Sequence, residues 1–376
     1  MRVVLTGISG LGKEDVLAKI RRINGTDDPR HPFSDPDVAL NCTGIVDLTF
    51  DLEHEMCKNE EIRTPNYLDI SENILLNAKN RTIEKLISES EGKENIILGM
   101  HTVYYRRSSL FSVLDWKKLK EFKPDMFVTL IDDVHSIKSR IENNANAGPV
   151  KYISLKEILW WRDVEFLLTK EIARNISSKN IPHYLVAMSQ APTVIFQLML
   201  EPYKRKVYAS YPITTAKEDP TLQSETKDFV SRLKKHFIVF DPIAISEKLL
   251  HDALIENLKS PHPEPYLRLK RIGNDSPIAV NEVLQVISDI NGQIVSRDHR
   301  LIKQCDMVIG YRPTKSPGAQ DELKYAKSTG RVETFIVNTK EDSQSPFISE
   351  LAEEIFPNID QLFLRLYEKG YITETA

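Results

Sequence analysis

The stretch Gly7-Ile-Ser-Gly10-Leu-Gly12-Lys13 decides the fold of this chain. An apolar, strand-like run over residues 3–5 precedes it and a helical pattern over residues 16–22 follows. This layout is typical of a phosphate-binding loop, because backbone N–H groups close around phosphate oxygens and the lysine reaches the outer phosphates. A purely structural glycine turn is the alternative. The residues predicted to contact a nucleotide here are Gly7, Ser9, Gly10, Leu11, Gly12, Lys13, Glu14 and Asp15.

The composition limits the class of protein. A chain of 376 residues favours two domains, and 41% hydrophobic residues are enough for two cores. A net charge of −4 provides no basic surface for a nucleic acid polymer. No apolar run approaches the length of a membrane span, and the N-terminus has no secretory pattern. We therefore expect a cytoplasmic protein whose partners are small molecules.

The cysteines indicate the same compartment. Cys42, Cys57 and Cys305 are scattered along the chain and form no Cys-x-x-Cys pair. This spacing argues for a reducing environment and against a disulfide framework or a zinc site. We assign no metal ligands from the sequence.

Strand-like and helical segments alternate along the chain, which is typical of parallel sheets covered by helices. The predicted strands are 2–6, 44–49, 95–100, 126–131 and 183–188, and then 207–210, 236–240, 306–310 and 333–337. A last apolar helix and the charged run 204–206 separate the two groups, so we place a boundary near residue 203. The sequence predicts an α/β protein with domains 1–203 and 204–376.

Three segments follow the glycine loop in the first half. They are a strand ending at His101-Thr102, the run Lys123–Asp133, and Ile137-Lys-Ser-Arg140. Over residues 1 to about 190, this order resembles the adenylate kinases of the archaeal type and related P-loop nucleotide kinases. The resemblance implies a P-loop NTPase-like sheet, ATP or another nucleotide at the loop, and contacts from His101 and Arg140. A core histidine and a surface arginine are the alternatives for these two residues.

The departures from that family bear on activity. Glu14 and Asp15 follow the lysine where a complete motif has a hydroxyl for Mg²⁺, and Gly99 stands where the family has a strand-end acid. The family also has a short arginine-bearing lid, for which Ile137-Lys-Ser-Arg140 stands in the matching place, and most of the lid's further arginines are absent from this chain. Phosphoryl transfer depends on a metal and on cationic clamps, so we predict a weak or inactive kinase. Mg²⁺ held by Asp15 or Asp132 in another geometry is the alternative.

The second half contains two acids eight positions apart, Asp298 and Asp306, and then the run Ser316-Pro-Gly-Ala-Gln-Asp-Glu322. The Ser-Pro-Gly turn opens a helix, so Ser316, Gly318 and Ala319 can offer a hydroxyl and N–H groups to an anion. A carboxylate beside an anomeric carbon can attack it and hold a covalent glycosyl-enzyme. Solvated helix acids are the alternative interpretation of Asp298 and Glu322.

These motifs, with Val207-Tyr208 and Phe240-Asp241-Pro242, resemble the nucleoside 2-deoxyribosyltransferase family over residues 205 to 340. They resemble in particular the deoxynucleoside 5′-monophosphate N-glycosidase branch, although Tyr211-Pro212 replaces a small Gly-Ser pair there. The resemblance implies a Rossmann-like, flavodoxin-like sheet and an enzyme often completed by a neighbouring subunit, which makes a homodimer plausible. The predicted substrate-binding residues are Ser316, Gly318, Ala319, Asp306 and Asp241.

The predicted catalytic residues are Glu322 as nucleophile, Asp298 as the acid that protonates or orients the departing base, and Tyr208 as a hydrogen-bond partner of the nucleophile. A core aromatic is the alternative for Tyr208, and a structural role at a strand end is the alternative for Asp306.

The leading hypothesis is a nucleotide-metabolism enzyme that binds a nucleotide at the glycine loop and cleaves or exchanges a base at Glu322. The alternatives are an active nucleoside-monophosphate kinase with a regulatory second domain and a non-enzymatic nucleotide sensor.

Overall fold

The structure is a computed structural model that describes residues 1–23, 46–59, 66–143, 152–213, 219–269, 277–339 and 346–373. The described residues form two compact units. One comprises residues up to 195 together with those between 245 and 294, and the other comprises 196–244 and 295–373. The predicted boundary near residue 203 stays a prediction, and the second part of the first unit was not anticipated.

The first part of the chain alternates strands and helices. Its strands are β1 (Arg2–Thr6), β2 (Leu48–Asp51), β3 (Ile96–Gly99), β4 (Tyr104–Arg106), β5 (Ser109–Phe111), β6 (Met126–Ile131) and β7 (His183–Ala187). Its helices are α1 (Lys13–Ile23), α2 (Leu52–Asn59), α3 (Glu72–Glu89), α4 (Trp116–Glu121), α5 (Val134–Asn143), α6 (Leu155–Asn175) and α7 (Ala191–Leu200). Five strands form a parallel sheet in the order β2-β3-β1-β6-β7, and β4 and β5 form a separate hairpin.

The rest of the chain repeats the alternation. Its strands are β8 (Lys206–Ser210), β9 (Ile238–Phe240), β10 (Tyr266–Leu267), β11 (Ile278–Ala279), β12 (Met307–Arg312), β13 (Glu333–Asn338) and β14 (Glu354–Phe356). Its helices are α8 (Pro220–His236), α9 (Lys248–Lys259), α10 (Val280–Lys303), α11 (Pro317–Thr329), α12 (Pro346–Ser349) and α13 (Ile359–Glu368). The second parallel sheet has the order β9-β8-β12-β13-β14, which is the flavodoxin-like order 2-1-3-4-5.

Local sequence explains where the helices that carry site residues begin. Ser154 and Glu157 form a capping box at the start of α6. Ser316 caps α11, and Pro317 occupies its first turn, where a missing N–H costs nothing. The interior strand β6 is buried along its whole length, as expected for a parallel strand covered on both faces.

The predicted α/β class with two parallel sheets is confirmed. The predicted strands correspond to β1, β3, β6 and β7, and to β8, β9, β12 and β13, with ends that shift by two residues at most. The strand predicted over 44–49 begins outside the described residues, and β2 lies further along, at Leu48–Asp51. The edge strand β14 was missed because three residues are too few to show a period. Among the described residues, no helix is both long and apolar enough to cross a bilayer.

The core of the second unit generates a stability prediction. Phe335 of β13 is fully buried in its main hydrophobic cluster. We expect Phe335→Ala to lower the free energy of unfolding by about 3–5 kcal/mol, because it removes a buried ring and leaves a cavity. Urea unfolding monitored by circular dichroism measures this change. Phe347→Ala is the control because Phe347 is 77% exposed, and equal losses for both variants would contradict the assignment of the core.

Candidate functional sites

Two candidate sites lie at the carboxyl ends of parallel strands, the edge at which α/β sheets bind ligands. In the first unit, residues 7–12 connect β1 to α1. In the second unit, Tyr208 and Ser210 lie on β8 and Glu322 lies on α11.

The backbone of the glycine loop requires glycine at two positions. Gly7 has φ 145° and Gly10 has φ 82°, values that residues with a side chain rarely adopt. A Cβ atom on Gly7 would lie 2.7 Å from Cδ1 of Leu11, and one on Gly10 would lie 2.6 Å from Cγ1 of Ile141. Both the dihedral angles and the packing therefore exclude a larger residue.

Lys13 is buried and its side chain turns back toward the loop. Its Nζ donates to the carbonyl of Gly7 at 3.2 Å and lies 2.9 Å from Nε2 of His101. Burial, followed by the charge of Lys13, lowers the pKa of His101 to about 3, so the ring is neutral. Nδ1 of His101 lies 2.6 Å from the same carbonyl, which assigns the proton to Nδ1 and leaves Nε2 to accept from Lys13.

The loop is anchored by a buried carboxylate, Glu165 of α6. Its Oε1 accepts the N–H groups of Gly7 at 3.1 Å and Thr102 at 3.0 Å, and its Oε2 accepts the N–H of Val103 at 2.8 Å. Burial raises the pKa of Glu165, and the three donors offset part of the cost of burying it. The start of the loop and the segment after β3 are thereby fixed to one helix.

A second buried carboxylate, Glu53, lies close to Lys13. Its Oε1 accepts from the hydroxyl of Tyr104 at 2.6 Å and lies 3.6 Å from Nζ of Lys79. Burial alone would raise the pKa of Glu53, but the combined effect of His101, Lys79, Lys13 and the Tyr104 hydrogen bond lowers it to about 2. Glu53 is therefore a fixed negative charge that helps to balance the two buried lysines.

Asp51, at the end of β2, is the acid nearest the position expected from the kinase pattern. It pairs with Gly99 in the parallel register, and a Cβ on Gly99 would lie 3.7 Å from Oδ2 of Asp51. Burial and then Glu53 raise the pKa of Asp51 to about 6. Within the described residues, no group of three or more His, Cys, Asp or Glu side chains is arranged to hold a metal. One carboxylate together with nucleotide phosphates is a common Mg²⁺ environment, and Asp51 fits that role.

Arg140 of α5 contacts the loop. Its Nε donates to the carbonyl of Gly10 at 2.6 Å, and its Nη2 lies 2.5 Å from Oδ2 of Asp132 at the end of β6. Burial raises the pKa of Asp132. Arg140 therefore links the loop to the end of β6. Its side chain is 37% exposed, so part of the guanidinium remains accessible to a ligand.

The remaining predicted nucleotide-binding residues differ in exposure. Oγ of Ser9 lies 3.5 Å from Nε2 of His101, and Leu11 is buried in the loop. Glu14 and Asp15 are exposed in the first turn of α1. The structure therefore groups Lys13 and His101 in one buried cluster and leaves the two acids outside it.

In the second unit, Glu322 is held by two hydroxyl groups of one strand. Its Oε1 accepts from Tyr208 at 3.0 Å, and its Oε2 accepts from Oγ of Ser210 at 2.5 Å. Tyr208 and Ser210 are two residues apart and therefore share one face of β8. The sheet positions both donors, and the helix α11 brings the carboxylate to them.

The electrostatic surroundings of Glu322 favour its neutral form. Burial and then the carboxylate of Asp298 raise its pKa to about 8, although Ser210, Tyr208 and Arg297 act in the opposite direction. Burial, followed by Asp298 and Glu322, also raises the pKa of Tyr208. Tyr208 therefore remains a protonated donor at neutral pH.

Asp298 is buried near the end of α10 next to a cation. Nε and Nη2 of Arg297 each lie 2.9 Å from Oδ1 of Asp298. This pairing places a charge-assisted hydrogen bond beside Glu322. The predicted catalytic residues Glu322, Asp298 and Tyr208 thus come together in one buried group.

The start of α11 adjoins this group. Oγ of Ser316 accepts the N–H of Ala319 at 3.4 Å, and the carbonyl of Ala319 accepts from Ser210 at 3.4 Å. Apart from the adjacent residues and the backbone of α11 itself, no described atom lies within 4 Å of the position that a Cβ on Gly318 would occupy. One side of the first turn is therefore open at the positive end of the helix.

Asp241 and Asp306 lie at opposite edges of the second sheet. Asp241 follows β9 at the carboxyl edge, and its Oδ1 accepts from the hydroxyl of Tyr211 at 2.5 Å. Asp306 precedes β12 at the amino edge, where its Oδ2 accepts the N–H of Lys206 at 2.8 Å and lies 3.1 Å from its Nζ. The structure does not bring Asp306 to Glu322, and its contacts are those of a residue that supports the strand ends.

Sequence reasoning missed several polar residues of the two sites. Ser210 was within reach of the sequence, because it shares the strand face of Tyr208. Asp51 follows a predicted strand directly, which is also a recognisable position. The sequence did not indicate a role for Glu165, because nothing in a helical pattern shows that a single acid within it will be buried. The missed residues are Asp51, Glu53, Lys79, Tyr104, Glu165, Ser210 and Arg297.

Comparisons with known proteins add little to this geometry. No protein-family profile matches the chain, and no curated protein matches it. Among solved structures, the shikimate kinase from Acinetobacter baumannii in complex with shikimate is 14% identical, covers 54% of this chain and 93% of its own, and has a TM-score of 0.35. The shikimate kinase from Bacteroides thetaiotaomicron is 14% identical, covers 54% of this chain and 98% of its own, and has a TM-score of 0.32. Similarity at this level supports no inference about activity.

The raised pKa of Glu322 predicts how stability depends on pH. The folded value of about 8 lies above the ordinary 4.5, so the contribution of the protonated form is complete below about pH 4.5 and is lost as pH rises to about 8. We expect Glu322→Gln to become more stable relative to the unchanged protein over that range, by about 1.4 kcal/mol for each unit of the shift. Urea unfolding at pH 5 and pH 8.5 measures the difference.

The control for this experiment is Asp321→Asn, which changes an exposed carboxylate next in sequence to Glu322. Its stability difference from the unchanged protein should be similar at both pH values. If Glu322→Gln behaved in the same way, the carboxylate of Glu322 would not be disfavoured by its surroundings.

Proposed function

We propose that the protein is a two-domain enzyme of nucleotide metabolism whose second unit cleaves or exchanges the base of a nucleoside or its 5′-monophosphate. The observation that carries the proposal is the buried carboxylate of Glu322 with hydroxyl donors on both oxygens and Asp298 close by. The spacing of Asp298, Ser316 and Glu322 in the deoxyribosyltransferase-like motif supports it.

In the first step, a carboxylate oxygen of Glu322 attacks C1′ of the sugar as the N-glycosidic bond breaks. Because Glu322 carries the one proton of the Glu322–Asp298 pair at neutral pH, this proton passes to Asp298 when the substrate binds, and Glu322 becomes ionised. The base leaves with the electron pair of the glycosidic bond and takes this proton from Asp298. Tyr208 and Ser210 fix the direction of the attacking carboxylate. The product is a covalent glycosyl-enzyme through an oxocarbenium-like transition state.

In the second step, a water molecule attacks C1′ and returns its proton to Asp298. The ester bond to Glu322 breaks, and the carboxylate recovers its electron pair. Attack by the nitrogen of a second base in place of water would give transfer instead of hydrolysis. The open turn at Ser316 and Gly318 is the natural position for a 5′-hydroxyl or 5′-phosphate.

The nucleophile must be ionised, which couples activity to pH. The departing base also needs one proton from the Glu322–Asp298 pair. Because burial and Asp298 raise the pKa of Glu322 to about 8, the pair loses that proton as pH rises through about 8, and kcat/KM should fall there. The bound substrate displaces water from Glu322, and its sugar gains positive charge in the transition state. That positive charge favours the ionised form of Glu322 during the reaction.

For the first unit, we propose that the glycine loop binds the phosphates of ATP or another nucleotide. Nζ of Lys13 now contacts the carbonyl of Gly7 and the ring of His101, which are neutral acceptors. Phosphate oxygens of a bound nucleotide would replace these two partners. Arg140 offers a second cation at the same loop.

Phosphoryl transfer is a second candidate function, and one observation favours it. The carboxylate of Asp51 stands beside Gly99, so the acid missing from β3 has a substitute on β2. The exposed Glu14 in place of a hydroxyl weighs against it.

The glycosidase proposal predicts release of free base. Incubation with deoxynucleosides and deoxynucleoside 5′-monophosphates, followed by chromatography, should detect base from at least one substrate. Glu322→Gln should lower the rate by at least about 1,000-fold, and Tyr208→Phe should lower it less, because it removes only a hydrogen bond to the nucleophile. Asp321→Asn should retain the rate. Absence of base from every substrate would sink the catalytic assignment.

The loop proposal predicts nucleotide binding that depends on Lys13. By calorimetry, Lys13→Ala should weaken ATP binding by at least about tenfold, because it removes a cation from the phosphates. Asp51→Asn should reduce the effect of added Mg²⁺ on that binding, and Asp47→Asn, on the same segment before β2, should not. If the unchanged protein forms ADP and both Lys13→Ala and Asp51→Asn lose this activity, the result would favour the kinase function.

A further inference from the structure

Arg297 of α10 is a buried cation that the proposed reaction does not use. Its side chain is only 6% exposed, and a guanidinium is rarely buried unless an acceptor compensates for the hydration that it loses. Nε and Nη2 of Arg297 both lie 2.9 Å from Oδ1 of Asp298, which is the next residue along the helix. The guanidinium is therefore fixed beside the residue that we propose as the acid.

Both of these contacts go to one oxygen of the carboxyl group. Arginine often meets a carboxylate with two parallel hydrogen bonds, one to each oxygen. Here two guanidinium nitrogens lie at hydrogen-bond distance from Oδ1 of Asp298. An O–H group formed at this oxygen would face the N–H groups of a cation, which carry positive charge and donate only. When Asp298 holds a proton, Oδ2 is therefore the oxygen that carries it.

Contacts between α10 and α11 bring this part of α10 to Glu322. The ring of His299 stacks on the ring of Tyr325, with 3.5 Å between the centroids and 5° between the planes. Nε2 of His299 also lies 3.7 Å from Oδ2 of Asp321, which is too long for a hydrogen bond. The segment that carries Asp298 therefore packs against the turn of α11 that carries Glu322. Burial and then Asp298 raise the pKa of Glu322, which agrees with this placement.

Resting on the proposed function, we propose that Arg297 is a positioning residue, which leaves Oδ2 of Asp298 as the oxygen that protonates the departing base and stabilises the carboxylate that remains. The N-glycosidic bond breaks with its electron pair going to the base, and the base receives the proton from Oδ2. Asp298 is then a carboxylate whose Oδ1 faces the guanidinium. Because a neighbouring cation favours that carboxylate, Arg297 makes Asp298 a stronger acid.

The same charge decides where the pair of acids keeps its proton before a substrate binds. The groups that act on Glu322 are the hydroxyls of Tyr208 and Ser210 on β8 and the side chains of Asp298 and Arg297 on α10. Arg297 contacts Asp298 directly and favours its ionised form, so the proton rests on Glu322. Burial and Asp298 raise the pKa of Glu322, and Arg297 opposes them. Removal of the guanidinium therefore raises the pH at which the pair loses its proton.

The first test compares nucleosides that need this proton with nucleosides that do not. The bases of 2′-deoxyguanosine and 2′-deoxycytidine leave with help from an acid, whereas the cationic 7-methyl-2′-deoxyguanosine and 3-methyl-2′-deoxycytidine release neutral bases without one. Arg297→Gln should slow the unmethylated member of a pair by at least about 100-fold, because a general acid contributes a factor of that size. The methylated member should slow by less than about tenfold. Asp298→Asn should show the same contrast.

The second test is the pH dependence of kcat/KM for the best unmethylated nucleoside or its 5′-monophosphate. In Arg297→Gln, the fall in kcat/KM should move to higher pH by about one unit, because a positive charge has left the pair of acids. Arg297→Lys keeps the charge, so the fall should stay at its original pH while kcat drops about tenfold, because an ammonium group lacks the rigid fork of a guanidinium. Lys324→Gln removes an exposed cation near Glu322 and should change neither quantity.

The outcomes separate this proposal from the proposed function. If the unchanged protein releases no base from any nucleoside, the proposed function falls and the role of Arg297 falls with it. If base is released but Arg297→Gln slows both members of a pair equally, or leaves the fall in kcat/KM at its original pH, only the positioning role is overturned. Circular dichroism shows whether Arg297→Gln is folded. If it is not, Arg297→Lys decides the question, and equal losses for both members of a pair would again overturn the role.

Discussion

The parallel direction of the strands is the constraint on which both candidate sites depend. In a parallel sheet, every residue that follows a strand lies at the same edge. The backbone groups at that edge take no part in the hydrogen bonds between strands. Gly7 after β1 and Asp51 at the end of β2 both lie at this edge in the first unit, with β3 between their strands. Ser210 at the end of β8 and Asp241 after β9 share the edge of the second sheet. Polar residues that are far apart in sequence therefore become neighbours without any local signal that links them.

The two units use buried carboxylates in opposite electrostatic settings. Burial would raise the pKa of Glu53, but His101, Lys79, Lys13 and the hydrogen bond from Tyr104 lower it to about 2, so Glu53 stays charged and serves as a permanent counter-ion. Glu322 lies beside another carboxylate, and burial with that neighbour raises its pKa to about 8, so its charge can change near neutral pH. The same residue type is thus a fixed charge in one unit and a titratable group in the other.

The sequence was sufficient for the fold class and for part of each site. The periodicity of apolar residues located the main strands, and the glycine loop located the start of α1, because both are local patterns. The grouping of Tyr208, Asp298 and Glu322 was what the resemblance to the nucleoside 2-deoxyribosyltransferases implied, and their catalytic roles stay a prediction. Glu165 and Tyr104 were not, because their roles arise from burial against distant backbone and side chains. Asp306 shows the converse, because its motif spacing suggested substrate binding, whereas its position at the start of the predicted strand 306–310 already indicated the amino edge of the sheet, where the structure places it.

The first unit draws on chain that comes long after its own sheet. Arg162 of α6 donates to the carbonyl of Asp132 at 2.8 Å, and it also hydrogen-bonds Glu247 and Gln293, which lie 85 and 131 positions further along the chain. Arg162 and Glu247 form a buried pair of a guanidinium and a carboxylate. During synthesis, the segment up to β7 emerges from the ribosome with this arginine still lacking its later partners. The first unit therefore cannot finish folding in order from the N-terminus, and its completion has to wait until the strands β8 and β9 of the second unit have already been made.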